Sequence, residues 1–151
     1  MLESAIVAYC HYLSFMLAIA ALAVERLSLQ ADLSLQAARR IVVADVVYGL
    51  SAIGVLITGI LRVLYFGKGA DYYLDNPLFW TKIGLFLLVG ALSLYPTVTF
   101  ILWIKDLQQV QVPSLSRGKF QVLSSLVSLE IVGMLLIPLF ASLMARGIGL
   151  A

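Results

Sequence analysis

Four long apolar segments constrain the fold of this 151-residue chain more than any other feature. Each is long enough to cross a bilayer, because about 20 helical residues at about 1.5 Å each span a hydrocarbon core about 30 Å thick. With 62% hydrophobic and 12% charged residues, the chain has too few polar side chains to cover a soluble domain of its size. The sequence predicts an all-α, integral membrane four-helix bundle with helices at about 2–26, 39–66, 78–104 and 119–145.

The remaining segments are short, and they predict a single transmembrane domain over residues 1–151. The net charge of +2 comes from scattered Lys and Arg residues, so no basic stripe for a nucleic acid can be drawn. Cys10 is the single cysteine, which excludes an intrachain disulfide and a Cys-based metal site within one chain. We expect the lipid bilayer as the main partner, together with a homo-oligomer or a larger membrane complex.

The orientation follows from the positive charges in the short loops, because cytoplasmic loops carry an excess of Lys and Arg. The first and third linkers carry six such residues, whereas the opposite face has Lys68 and Arg146, with Arg62 and Lys82 slightly inside the bilayer. The pattern predicts that both termini lie outside the cytoplasm.

Five ionisable residues are predicted to lie within the bilayer, away from the helix ends, where each charge costs about 2.5–3.5 kcal/mol on insertion scales. They are His11, Asp45, Arg62, Lys82 and Glu130. With the predicted orientation, three of them, His11, Arg62 and Lys82, lie in the outer half of the bilayer. Helical periodicity also predicts that Ser4, His11, Ala18, Leu22 and Glu25 share the face of helix one that points into the bundle.

Three roles are open for His11: a neutral imidazole hydrogen-bonded to a Ser or Tyr of another helix, a ligand of haem iron, or a proton relay. Because the chain has one histidine, a two-histidine haem site cannot be built within it. A second ligand would be Lys82, a Met, a water, or His11 of another subunit.

The other four residues each have a structural and a functional interpretation. Lys82 either extends to the membrane interface or lies beside a flat ligand. Arg62 either extends to the interface or binds a carboxylate such as a haem propionate. Asp45 is expected to pair with Arg39 or Arg40. Glu130 is protonated, paired across helices, or part of a proton path. The glycines of helix two, Gly49, Gly54 and Gly59, are expected at close helix contacts.

A long central run carries a resemblance to a known family. From Tyr48 to Phe100 the chain reads YGLSAIGVLITGILRVLYFGKGADYYLDNPLFWTKIGLFLLVGALSLYPTVTF. This run resembles the bacterial membrane family called domain of unknown function 2214, and the His11, Glu25, Arg39, Arg40 and Asp45 positions also fit that family's pattern. The resemblance implies a multi-pass protein of the bacterial inner membrane or of an internal photosynthetic membrane.

A second resemblance is more distant. A His in helix one and a Lys at the start of helix three, in FWTKIGLF, are similar to the oxygen-independent protoporphyrinogen oxidase family of four-helix haem proteins, and a D-type copper-resistance membrane domain shares that architecture. It implies haem b bound at His11, Lys82 near the porphyrin, and redox chemistry. The alternative is a non-enzymatic assembly or stability subunit of a larger complex, or a small permease component.

Overall fold

Four long helices and two short ones make up the computed structural model, which describes residues 1–149. The long helices are α1 (Leu2–Ser28), α2 (Leu35–Leu61), α4 (Pro77–Gln108) and α5 (Arg117–Ala145), and a π-helix (Arg62–Phe66) and α3 (Ala70–Leu74) lie between α2 and α4. All four long helices are long and apolar enough to cross a membrane, and residues 1–149 contain no strand. The predicted all-α bundle is confirmed.

Three of the four long helices begin before the predicted residue because a polar side chain caps each start. Helix α2 begins at Leu35, four residues earlier than predicted, since Ser34 Oγ accepts a hydrogen bond from the Ala37 backbone N–H at 3.1 Å. Asn76 caps the start of α4 in the same way, and α4 ends at Gln108 rather than at 104. Helix α3 lies in the segment between the second and third predicted helices.

The long helices are antiparallel along the chain, with α1 packed chiefly on α2 and α4 on α5. Both chain ends and the segment 67–76 lie at one end of the bundle, which we call the terminal end. There, Ser4 Oγ donates to the Phe66 carbonyl at 3.0 Å. Linkers 29–34 and 109–116 lie at the opposite end, the linker end. Near it, Arg26 Nε donates to Ser128 Oγ at 2.9 Å.

A layer of buried apolar side chains fills the middle of the bundle. This central layer consists of Ala18, Ala21, Leu22, Tyr48, Val89, Val127, Met134 and Ile137. Lipid is as apolar as these side chains, so helix association depends on close packing and small residues. Gly133 meets that need, because a Cβ there would collide with the Val89 side chain.

The glycines of α2 behave differently from one another. A Cβ on Gly54 would lie 2.6 Å from Ser14 Oγ, and one on Gly59 would lie 3.5 Å from His11 Cε1, so both glycines face α1 closely. Gly49 has nothing within 4 Å of the corresponding position. The expected close contact is therefore confirmed for two of these glycines and wrong for Gly49.

Candidate binding cavity and buried carboxyl cluster

A cavity of about 480 Å³ lies at the terminal end, between all four long helices. It is lined by His11, Arg62 and Lys82, so the structure brings together the three residues that the sequence assigned to one half of the bilayer. Much of the remaining wall is aromatic: Tyr12, Phe15, Tyr72, Tyr73, Phe79 and Phe86. The cavity therefore combines flat apolar walls with a few polar groups.

The hydrogen bonds around His11 determine which ring nitrogen carries the proton. His11 Nδ1 lies 2.9 Å from Thr58 Oγ1, and Thr58 Oγ1 donates its single proton to the Gly54 carbonyl at 2.6 Å. Because that proton is already used, Nδ1 must carry the proton of the neutral imidazole and donate to Thr58. The lone pair is then on Nε2, where it is available to a metal or a proton. Sequence reasoning expected a Ser or Tyr partner and missed Thr58.

Three cationic side chains line the cavity. The Arg62 guanidinium lies 5.1 Å from the Tyr12 ring centroid, and Lys82 Nζ lies 5.0 Å from that of Phe79. Lys68, which the sequence analysis did not single out as a site residue, places Nζ 3.2 Å from the Tyr72 hydroxyl. No Asp or Glu of residues 1–149 lines the cavity, so its lining favours a ligand with negative charge.

The segment after α2 closes the terminal end of the cavity. Arg62 begins the π-helix, a rare form that often marks functional positions. Gly67 follows it, and any Cβ there would collide with the Arg62 carbonyl and the Tyr73 side chain. Tyr72 donates from its hydroxyl to the Met144 carbonyl at 2.8 Å, which fixes α3 to the end of α5.

A second polar region lies toward the linker end and consists of three carboxyl groups. Glu25, Asp45 and Glu130 come from three different helices and are only 1%, 6% and 1% exposed. The Glu25 carboxyl lies within electrostatic range of the other two, and Glu130 lies within range of Asp45. We call this group the carboxyl cluster.

The expected pairing of Asp45 with Arg39 or Arg40 is wrong. Asp45 Oδ1 accepts a hydrogen bond from Thr97 Oγ1 at 2.7 Å, whereas both arginines are exposed. The two arginines precede Asp45 by five and six residues, which places them more than about 100° away around the helix. Asp45 is thus directed into the bundle and away from them.

Glu25 is the cluster member whose burial the sequence reasoning did not recognise. It lies three residues before the end of α1, where a glutamate is usually in contact with water. The signal was its place on the inward face of helix one with His11 and Leu22, and that face prediction was correct for Ala18, Leu22 and Glu25. Tyr48, another buried residue beside the cluster, was also missed.

The cavity and the carboxyl cluster lie at different depths in the bundle. Glu25 follows His11 by fourteen residues on α1, which corresponds to about 21 Å along the helix axis, and Ala18 and Leu22 of the central layer lie between them. On α5, Glu130 lies within the central layer, about 10 Å before the cavity-lining Ile137. They are therefore two sites and not one.

The family model described as "Predicted membrane protein (DUF2214)" matches residues 3–149. The chain belongs to this family. No curated protein and no solved structure matches the chain. Membership of this family, together with the four membrane-spanning helices, confirms the first resemblance and a multi-pass location in a lipid bilayer. The relation to the protoporphyrinogen oxidase and copper-resistance families, the identity of the membrane, the orientation of the termini and any oligomeric partner stay predictions.

Proposed function

We propose that this membrane protein binds b-type haem, or a related porphyrin, in the terminal-end cavity, with His11 as the iron ligand. The observation that carries the proposal is the hydrogen-bonded series from His11 to Thr58 to the Gly54 carbonyl. Metal-binding histidines nearly always donate their second N–H to such an acceptor, which fixes the tautomer and orients the ring. The lone pair on Nε2 is what ligation of iron requires.

The cavity wall also suits a porphyrin, which is flat, largely apolar and carries carboxylates at one edge. The cavity volume of about 480 Å³ falls within the usual range for small-molecule pockets, about 300–1,000 Å³. Phe79 and Phe86 supply apolar wall. Arg62 and Lys82 supply positive charge for the carboxylates, and a guanidinium can bind a carboxylate through two parallel hydrogen bonds.

Each residue has a distinct part in this function. His11 provides the nitrogen ligand, and Thr58 holds its tautomer. Arg62 and Lys82 compensate carboxylate charge, which would be costly to bury in a membrane without a counter-charge. A bound haem would supply one-electron transfer or porphyrin redox chemistry.

The test is an ultraviolet-visible spectrum of the purified, haem-supplemented protein, oxidised and dithionite-reduced, for wild type, His11→Ala and Cys10→Ala. Cys10 is the exposed neighbour of His11 and serves as the matched control. We expect a Soret band that sharpens on reduction in wild type and Cys10→Ala and is lost in His11→Ala. A wild type that elutes as a single folded species without a Soret band would overturn the proposal and favour the assembly-subunit alternative.

Enzymatic activity needs its own assay. Haem-loaded wild type is mixed with protoporphyrinogen and a quinone acceptor, and porphyrin fluorescence is followed against a His11→Ala control. Faster oxidation by the wild type supports an oxidase. Equal rates would restrict the proposal to haem-based electron transfer.

A further inference from the structure

The carboxyl cluster takes no part in the proposed haem site, yet its three side chains are buried in the bundle. Glu25 and Glu130 are each 1% exposed, and within residues 1–149 one oxygen of each, Oε1, has no hydrogen-bond partner. A buried acceptor without a donor costs about 1–3 kcal/mol, and more when it is charged. Both unpartnered oxygens belong to the same group of carboxyls, which indicates that this group binds positive charge.

Polar groups beside the cluster come from α2 and α4: Tyr48 lies within electrostatic range of the three carboxyls, and the neutral Thr97 donates to Asp45. Arg26, the residue after Glu25, donates from Nε to Ser128 Oγ of α5 at 2.9 Å rather than to a carboxylate. Within residues 1–149, no Lys, Arg or His side chain acts on any of the three carboxyls.

Two kinds of positive charge could complete the balance, a metal cation or protons. A metal cation needs several ligands converging on one point at about 2.0–2.6 Å. Within residues 1–149, no three His, Cys, Asp or Glu side chains are grouped closely enough to hold a metal ion. Protons have no such requirement, because each one binds to a single carboxyl oxygen.

We propose that Glu25, Asp45 and Glu130 form an intramembrane proton-binding site. With no cation paired to the three carboxyls, neutrality of the cluster requires a proton on each of them. A protonated carboxyl can also donate a hydrogen bond, so that its unpartnered oxygen becomes a donor within the cluster.

Protons reach this site from the linker end. Glu25 lies three residues before the end of α1, or about 4.5 Å along its axis. Arg26 and Ser128, beside it, provide a polar contact between α1 and α5. On the other side, Ala18 and Leu22 of the central layer lie between Glu25 and the cavity.

The experiment is infrared spectroscopy of the full chain in lipid nanodiscs at pH 7, in H₂O and D₂O, observing the carbonyl stretch of protonated carboxylic acids. Wild type should show this band, shifted by deuteration. Glu130→Gln and Glu25→Gln should each reduce its area by about a third, because two protons instead of three then neutralise the cluster. Glu3→Gln, at an exposed position on α1, is the matched control and should leave the band unchanged.

Absence of the band in wild type, or an unchanged band in both cluster variants, would overturn the proton site. Recording the same spectra on His11→Ala keeps this result separate from the haem proposal. A band that persists in His11→Ala supports the proton site whether or not the wild type binds haem.

Discussion

The two polar regions of this bundle have opposite character, although both are built from a few ionisable residues in a membrane. The terminal-end cavity has a volume of about 480 Å³ and is cationic, with Arg62, Lys68 and Lys82 in its wall. The carboxyl cluster is acidic and buried, with its two glutamates only 1% exposed. A charged group next to open volume can serve a large ligand, whereas a charged group without volume must be neutralised locally.

Helix geometry explains why the cavity enclosed by all four long helices lies at the terminal end. In the middle of the bundle, Ala18 and Gly133 allow the helices to approach closely. At the terminal end, the π-helix Arg62–Phe66 and the proline at Pro138 interrupt regular helix, and both contribute residues to the cavity wall. Interruptions of this kind are tolerated in membranes where they face a cavity or another helix.

The largest effect should come from disturbing the central layer. Gly133→Ala places a Cβ against Val89 and should lower the free energy of unfolding by about 1–3 kcal/mol. Gly90→Ala in α4 has nothing within 4 Å of the new atom and should be neutral or stabilising by up to about 1 kcal/mol. Thermal unfolding in detergent measures both. Equal unfolding temperatures would contradict the close contact of α4 with α5.

The next effect concerns the partner of His11. Thr58→Val keeps the side-chain shape but removes the hydroxyl that accepts from Nδ1, so haem affinity should fall about 10- to 100-fold. Thr58→Ser restores the hydroxyl and should recover most of the affinity. Haem titration followed at the Soret band gives the dissociation constants. If the Thr58→Val and Thr58→Ser variants bind haem equally, Thr58 does not set the tautomer of His11.

A smaller effect should distinguish the cations of the cavity. Arg62→Gln removes a charge from the half-buried wall and should weaken haem binding by about 1–1.5 kcal/mol, above the range for an exposed ion pair. Lys68→Gln removes an exposed charge and should cost less than about 1 kcal/mol. Haem titration at low and high salt concentration distinguishes the contributions of the two charges to binding. A larger loss for Lys68→Gln would move the carboxylate site to the segment 67–76.

The smallest effect belongs to the carboxyl cluster. Asp45→Asn keeps an oxygen that can accept from Thr97 Oγ1, so the free energy of unfolding at pH 7 should change by about 0.5 kcal/mol or less. Asp45→Leu removes the acceptor and should be measurably less stable. Parallel thermal unfolding of the two variants tests the assignment, and a large loss for Asp45→Asn would mean that Asp45 acts through its charge.

The sequence predicted the bundle well because transmembrane helices are determined by a strong one-dimensional signal. Runs of apolar residues locate the four helices, and helical periodicity identified the inward face of α1 that carries Leu22 and Glu25. The errors came from side chains acting across short distances. The Ser34 cap moved the start of α2, and the 100° step per residue turned Arg39 and Arg40 away from Asp45.

The candidate site was predicted in part. His11, Arg62 and Lys82 were placed in one half of the bilayer from their distance to helix ends, and the structure brings them to one cavity. Thr58 and Lys68 could not be found in that way, because their roles depend on how helices rotate relative to one another. Glu25 was overlooked because position near a helix end is a poor guide to burial when a neighbouring helix extends past it.

The central layer has a consequence for a membrane that carries a voltage. Most of the electric field falls across dry, apolar material, and Glu130 lies within it, as the fourteenth of the 29 residues of α5. Moving one elementary charge across a full 100 mV costs about 2.3 kcal/mol. A proton that enters from the linker end crosses little of that potential to reach Glu25 but a larger share to reach Glu130, so proton occupancy of Glu130 should respond more strongly to membrane voltage than that of Glu25.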